Sequence, residues 1–134
     1  MAKLEDVEGI GNTYGAKLRE AGIRSTNELL KKGETPTGRK QIAKDSGISE
    51  KLVLTWVNHV DLFRIKGVAG QYSELLEAAG VDTVVELSKR KATSLYETMK
   101  ETNLKKRLVR QIPALSQIEN WIEQAKSLPR AIKY

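Results

Sequence analysis

Two short runs carry the residue types best suited to chemistry in this chain: Gly9-Ile10-Gly11-Asn12 and, 58 residues later, Gly67-Val68-Ala69-Gly70. The chemistry is that of the backbone rather than of side chains. Glycines flanking one aliphatic residue permit a tight turn, and they let the main chain approach a ligand with no Cβ in the way. Where such a turn opens a helix, its N–H groups point outward as a seat for a phosphate oxygen. The central Ile10 or Val68 points inward and anchors the turn. Lys17, Arg39 and Lys40 would add electrostatic attraction, as would the cluster Lys105, Lys106, Arg107 and Arg110.

Catalytic chemistry finds no such support. The chain has one histidine, His59, and no cysteine, so thiolate nucleophiles, disulfides and cysteine-ligated zinc are excluded. No Ser/His/Asp set, metal triad, Walker-type loop or paired carboxylates can be assembled, so no catalytic residue, metal ligand or cofactor is expected. No apolar run approaches the roughly 18 residues that cross a bilayer, and Met1–Asp6 lacks the apolar core of a signal peptide. The expected location is the cytoplasm, without membrane contact.

The residues that position these turns repeat with them. Between 7–32 and 65–90, identities recur at Gly9/Gly67, Tyr14/Tyr72, Leu18/Leu76, Ala21/Ala79, Gly22/Gly80, Glu28/Glu86, Leu29/Leu87 and Lys31/Lys89. A constant offset of that length marks an internal duplication. Apolar residues at three- and four-residue steps in 14–21, 50–60, 72–79 and 115–128 predict amphipathic helices, and no alternating β-run appears. Ser25 with Glu28, and Thr83 with Glu86, have capping-box spacing, while Gly22 and Gly80 stand where the preceding helix must stop. Gly33 to Gly38 reads as a loop. Trp56 and Trp121 lie on apolar stripes, and Tyr14 and Tyr72 share one repeat position; all four are read as core or inter-unit contacts. His59 reads as a residue at a helix end. The tryptophans are 65 positions apart, which places about seven extra residues near the basic segment of the second unit.

The expected architecture is therefore all-α, built from two units, 1–62 and 63–134, the second diverged and carrying a basic insertion. The two would pack around a pseudo-two-fold axis, with Phe63 wedged at the junction. Charge is uneven: the net charge of the chain is +6, of which residues 65–134 carry +4.

The run Gly9-Ile10-Gly11, followed by Gly15 and Leu18, resembles the helix-hairpin-helix motif. Gly67-Val68-Ala69, with Ser73 and Leu76, resembles a second copy that departs from the pattern at Ala69, where the second glycine is expected. Ser46-Gly47-Ile48-Ser49 is a weaker third candidate, whose counterpart near Pro113-Ala114-Leu115 has lost its glycine. Over nearly its whole length the chain resembles an uncharacterised, bacterial-type family of stand-alone duplicated helix-hairpin-helix proteins. The resemblance implies a SAM-like helical fold and contact with nucleic-acid backbone without base readout. The residues carrying it would be Gly9, Ile10, Gly11, Asn12, Lys17, Gly67, Val68, Gly70, Lys105, Lys106, Arg107 and Arg110.

Two functions stay open at this stage. One is a non-enzymatic module that binds DNA, with RNA the other candidate, at low affinity and without sequence preference. The other is an adaptor that uses the same helices to dock a protein partner or a second copy. Glu5, Asp6 and Glu8 before the first turn weigh against tight DNA binding.

Overall fold

In a computed structural model that describes residues 3–134, the chain is helical, with no strand among the described residues. After a 3-10 turn at Leu4–Asp6 come α1 (Asn12–Glu20), α2 (Thr26–Lys32), α3 (Pro36–Ser46), α4 (Glu50–Leu62), α5 (Gly70–Ala78), α6 (Val84–Ser88), α7 (Ala92–Lys106) and α8 (Leu115–Ser127). The chain divides into two compact units. The first runs to Asp61 and is completed by Ala131–Tyr134; the second is Leu62–Arg130. The last four residues, which the sequence assigns to the second unit, thus pack with the first.

The 58-residue repeat reappears in the element boundaries. Helices α1 and α5 begin and end 58 residues apart; α2 and α6 begin 58 apart, and α6 stops two residues short of the match. Each feature has a local cause. The α2 and α6 starts are capped by Ser25 and Thr83 hydroxyls, which accept the N–H groups of Glu28 (3.2 Å) and Glu86 (3.3 Å). The Glu86 carboxylate does not complete a capping box but accepts Arg90 at 3.0 Å. Helices α1 and α5 end in the same Schellman arrangement. Ile23 N–H reaches Leu18 O at 2.9 Å and Gly22 N–H reaches Arg19 O; Val81 N–H reaches Leu76 O at 2.8 Å and Gly80 N–H reaches Glu77 O. Even the cation over this corner repeats, since Lys32 Nζ donates to Gly22 O at 3.1 Å and Arg90 Nη2 to Gly80 O at 2.8 Å.

In the first unit the core is built from Leu4, Ile10, Leu18, Ile23, Leu29, Val53, Trp56 and Val57, with Ile132 from the C-terminal segment. α1 and α2 both pack on α3. In the second unit Val68, Leu75, Leu76, Leu87, Leu95, Met99, Ile118 and Trp121 form one cluster, and α8 packs against α6 and α7. With so few aromatics, the two tryptophans are the largest buried side chains. Each lies against the tyrosine of its own unit: Tyr14–Trp56 centroids are 5.1 Å apart, and Tyr72–Trp121 5.4 Å. His59 stands in the last turn of α4, at a helix end as expected, and is buried there.

Two expectations are corrected. The stretch read as a loop from Gly33 to Gly38 contains the start of α3, because the Thr35 hydroxyl caps Gly38 N–H at 3.1 Å and Pro36 suits the first helical position. Arg39, read as a surface cation, is buried at 6% exposure. It donates to Gly33 O (2.8 Å) and Lys133 O (3.0 Å) and stands over the Tyr134 ring. Its charge ties the C-terminal segment into the first unit, aided by Lys133 N–H to Glu34 O (2.7 Å) and Tyr134 OH to Asn58 (3.2 Å).

The extra residues of the second unit fall at the end of α7 and after it. Against the 58-residue offset α7 ends two residues late, and the connection 107–114 is five residues longer than 47–49, which together make the seven. Trp56→Ala and Trp121→Ala should each cost ~3–5 kcal/mol in denaturant unfolding, a large share of the stability of so small a fold. A loss under ~1 kcal/mol would show that the tryptophans do not carry the packing.

Candidate functional site

Each glycine turn is built by the same bonds. In the first unit Val7 N–H reaches Leu4 O and Ile10 N–H reaches Val7 O; in the second Ile65 N–H reaches Leu62 O and Val68 N–H reaches Ile65 O, all at 3.1 Å. Between them Gly9 and Gly67 take φ of 91° and 97°. A Cβ there would be strained, and it would lie 3.2 Å and 2.9 Å from Nε1 of Trp56 and Trp121. Ile10 and Val68 are buried, and their N–H groups are engaged within the turn.

The second position of the turn has different requirements. Gly11 (φ −90°) and Ala69 (φ −125°) are both extended N-cap residues, and open space surrounds Gly11. Within this turn positive φ belongs to Gly9 and not to Gly11. Ala69, which the sequence flags as a defect, leaves the second turn conformationally intact.

Neither N-cap has a side chain that caps. Helices α2, α3, α4 and α6 have hydroxyl caps from Ser25, Thr35, Ser49 and Thr83. Those hydroxyls accept the amide of the third helical residue; in α1 and α5 that amide, at Tyr14 and Tyr72, has no side-chain cap, so the opening amides from Asn12 and from Gly70 are all uncapped by side chains. α7 and α8 also start without a hydroxyl cap, after Lys91 and Ala114, but neither follows a left-handed glycine. The third turn does share that geometry: Gly47 has φ 73°, Ile48 is buried, and the Ser49 hydroxyl accepts Leu52 N–H. In the second unit the two parts of this turn lie apart: Arg107 is the left-handed cap of α7 as Gly47 is of α3, whereas Pro113 and Ala114 precede α8 as Ile48 and Ser49 precede α4.

The surroundings of the two main turns differ in charge. Before the first, Glu5 is bound in bidentate fashion by Arg19, at 2.7 and 2.8 Å. This pair, chiefly through the Arg19 hydrogen bonds and then a main-chain bond, holds the Glu5 carboxyl at about 2 against its ordinary 4.5. It lies over Gly15, where a Cβ would collide with the Glu5 carboxylate, so this small residue makes room for an ion pair. Asp6 accepts Lys3 N–H, Glu8 is exposed, and the Lys17 amine stands 5.8 Å from the Tyr14 centroid. At the matching positions of the second unit stand Phe63, Ser73 and Glu77 in place of Glu5, Gly15 and Arg19, and Lys66 in place of Glu8. Lys66 is fixed by two backbone bonds to the Gln124 amide, at 2.8 and 3.2 Å.

Beside the second turn, a cavity of about 730 Å³ lies between the first turn of α5 and the segment after α7. Gln71 and Tyr72 form one side, and Leu104, Arg107, Leu108 and Arg110 the other, with no acidic residue in the lining. The inserted segment is pinned in two places. Asn103 exchanges two 3.0 Å bonds with the backbone of Val109, and Tyr72 OH donates to Gln111 O at 3.2 Å. The structure thus brings Arg107 and Arg110 to the helix that begins at Gly70. Lys105 and Lys106 are exposed at the end of α7 but do not line the cavity. Sequence reasoning missed Lys66, Gln71 and Leu104. The charge reversal from Glu8 to Lys66 was legible at the 58-residue offset; the exposed Leu104 left no periodic signal.

Fold and site define a class: a small all-α protein whose two units each open on a left-handed glycine turn over a tryptophan. Residues 8–128 match the model of the DUF4332 family, a domain of unknown function, and the chain belongs to that family. No curated protein and no solved structure matches the chain significantly. Among the described residues no helix is long and apolar enough to cross a membrane.

Because Glu5 has a folded-state pKa below its ordinary value, its ion pair contributes fully above about 4.5 and is lost as pH falls through about 2. An NMR titration should place the Glu5 midpoint near about 2, returning toward 4.5 in Arg19→Ala and in Gly15→Ala. A midpoint unmoved by both substitutions would contradict the described role of Gly15.

Proposed function

We propose that this chain is a non-enzymatic module that grips the sugar-phosphate backbone of nucleic acid without reading bases. In this reading the two turns are helix-hairpin-helix elements. The open amides that begin α1 and α5 hold phosphate oxygens, and lysine and arginine side chains supply the longer-range attraction. One observation carries the reading: the first turn of α5, which has no hydroxyl cap, shares an acid-free cavity with Arg107 and Arg110. The second turn is then the stronger of the two, because Lys66 stands where the first has Glu8.

Proline at the first helical position removes an amide donor while suiting helix geometry, and the extended residues Gly11 and Ala69 accept a following proline. Asn12→Pro and Gly70→Pro should each weaken binding to random-sequence DNA, Gly70→Pro by about 10–100-fold and Asn12→Pro by less, the size of one lost charge-assisted hydrogen bond. Melting temperature should stay within a few degrees. The affinity of the parent protein should fall with salt, and replacing Arg107 and Arg110 together by Ala should reduce the slope by ~1–2. If the parent shows no binding to DNA or RNA at ~50 mM salt, the glycines serve packing, and docking of a protein partner or a second copy becomes the better account.

A further inference from the structure

The cavity beside α5 has a property that backbone binding does not require. Its basic side also carries apolar surface. Leu104, in the last turn of α7, is 73% exposed and shares the lining with half-buried Leu108 and Tyr72. A lone exposed leucine means little. Here it borders a cavity of a volume typical of small-ligand sites, next to two arginines whose side chains have no hydrogen-bond or ionic partner among the described residues.

Arg107 is also in a costly conformation. It adopts φ 50°, ψ 48° as the C-cap of α7, and it is the single non-glycine at positive φ among the described residues. Helix α3 ends in the same geometry with Gly47, and both caps donate N–H to the carbonyl four residues back, at 2.9 Å for Gly47 and 2.8 Å for Arg107. Glycine would satisfy the backbone at this corner with less strain. What the arginine adds is an exposed guanidinium on the cavity.

Duplex nucleic acid presents phosphates but keeps its base faces stacked inside, so apolar lining gains nothing from it. An unpaired nucleotide offers both a phosphate and an apolar base face. We infer that the groove formed by Gln71, Tyr72, Leu104, Arg107, Leu108 and Arg110 binds single-stranded nucleic acid, with phosphate on the two arginines and a base against Leu104 and Leu108. The inference rests on the backbone-binding reading and narrows it to unpaired strands at the second unit.

The test is fluorescence anisotropy with labelled oligo-dT, oligo-rU and duplex DNA of equal length, at one salt concentration. Single strands should bind about tenfold more tightly than duplex. Leu104→Ser, at an exposed position, should weaken single-strand binding about 5–10-fold and leave duplex binding within about twofold. Arg107→Gly should weaken binding to all three, yet raise the melting temperature by about 2–4 °C, because it relieves the left-handed cap. Tighter binding of either strand type than of duplex supports the proposal, and the stronger arm names the sugar. Equal binding of strand and duplex, or equal loss on both in Leu104→Ser, overturns it while leaving backbone binding in place. Absence of binding to all three overturns both.

Discussion

A tryptophan packed beneath a left-handed glycine is the contact on which each unit depends. A Cβ at Gly9 would crowd Trp56 at 3.2 Å and one at Gly67 would press on Trp121 at 2.9 Å, and both glycines hold a φ that other residues resist. Conformation thus demands glycine at both positions, and space favours it. The turn directs its aliphatic residue into the core and the following helix outward, so the opening amides of α1 and α5 are presented at the surface rather than buried. The tyrosine two residues into each helix's first turns, Tyr14 or Tyr72, then closes over the indole. A unit with so few aromatic residues has little else of comparable size to fix that corner.

On this common frame the two units have diverged as coupled sets of residues. In the first, Glu5, Gly15 and Arg19 form a group in which the glycine makes space for a bidentate ion pair. In the second the ion pair is absent, and Ser73 replaces the glycine, its hydroxyl donating to Gly70 O at 2.8 Å. The extra length after α7 adds a segment that Asn103 and Tyr72 hold against α5. Where the first unit has a glycine, the second has an arginine in the left-handed region, which sets a charge at that corner at a cost in backbone strain.

Much of the fold could be read from the residues because it is governed by local rules. The hydroxyl caps at Ser25 and Thr83, the stops at Gly22 and Gly80, and the apolar stripes of α4 and α8 all act within a few residues of themselves. The start of α3 was hidden, since Thr35-Pro36-Thr37-Gly38 has loop composition although cap and proline together favour a helix. Arg39 was misread for a different reason: its partners Lys133 and Tyr134 lie nearly a hundred residues away, beyond any periodic signal. Ala69 was overweighted because glycine at two turn positions suggests one shared reason, whereas only the first requires positive φ. The cavity itself could not be read at all. It depends on how the inserted segment folds back, and the sequence marks only its charge.

In the proposed function the amides opening α1 and α5 face a phosphate ligand, with Arg107 and Arg110 beside those of α5. The most direct measurement is an amide NMR titration of the intact chain with short oligo-dT. Shifts should concentrate at Gly11 to Thr13, at Ala69 to Tyr72 and at Arg107 to Gln111, while the hydroxyl-capped starts of α2, α3 and α6 stay unmoved. Shifts that avoid the two glycine turns, or spread evenly over every exposed lysine, would contradict the account.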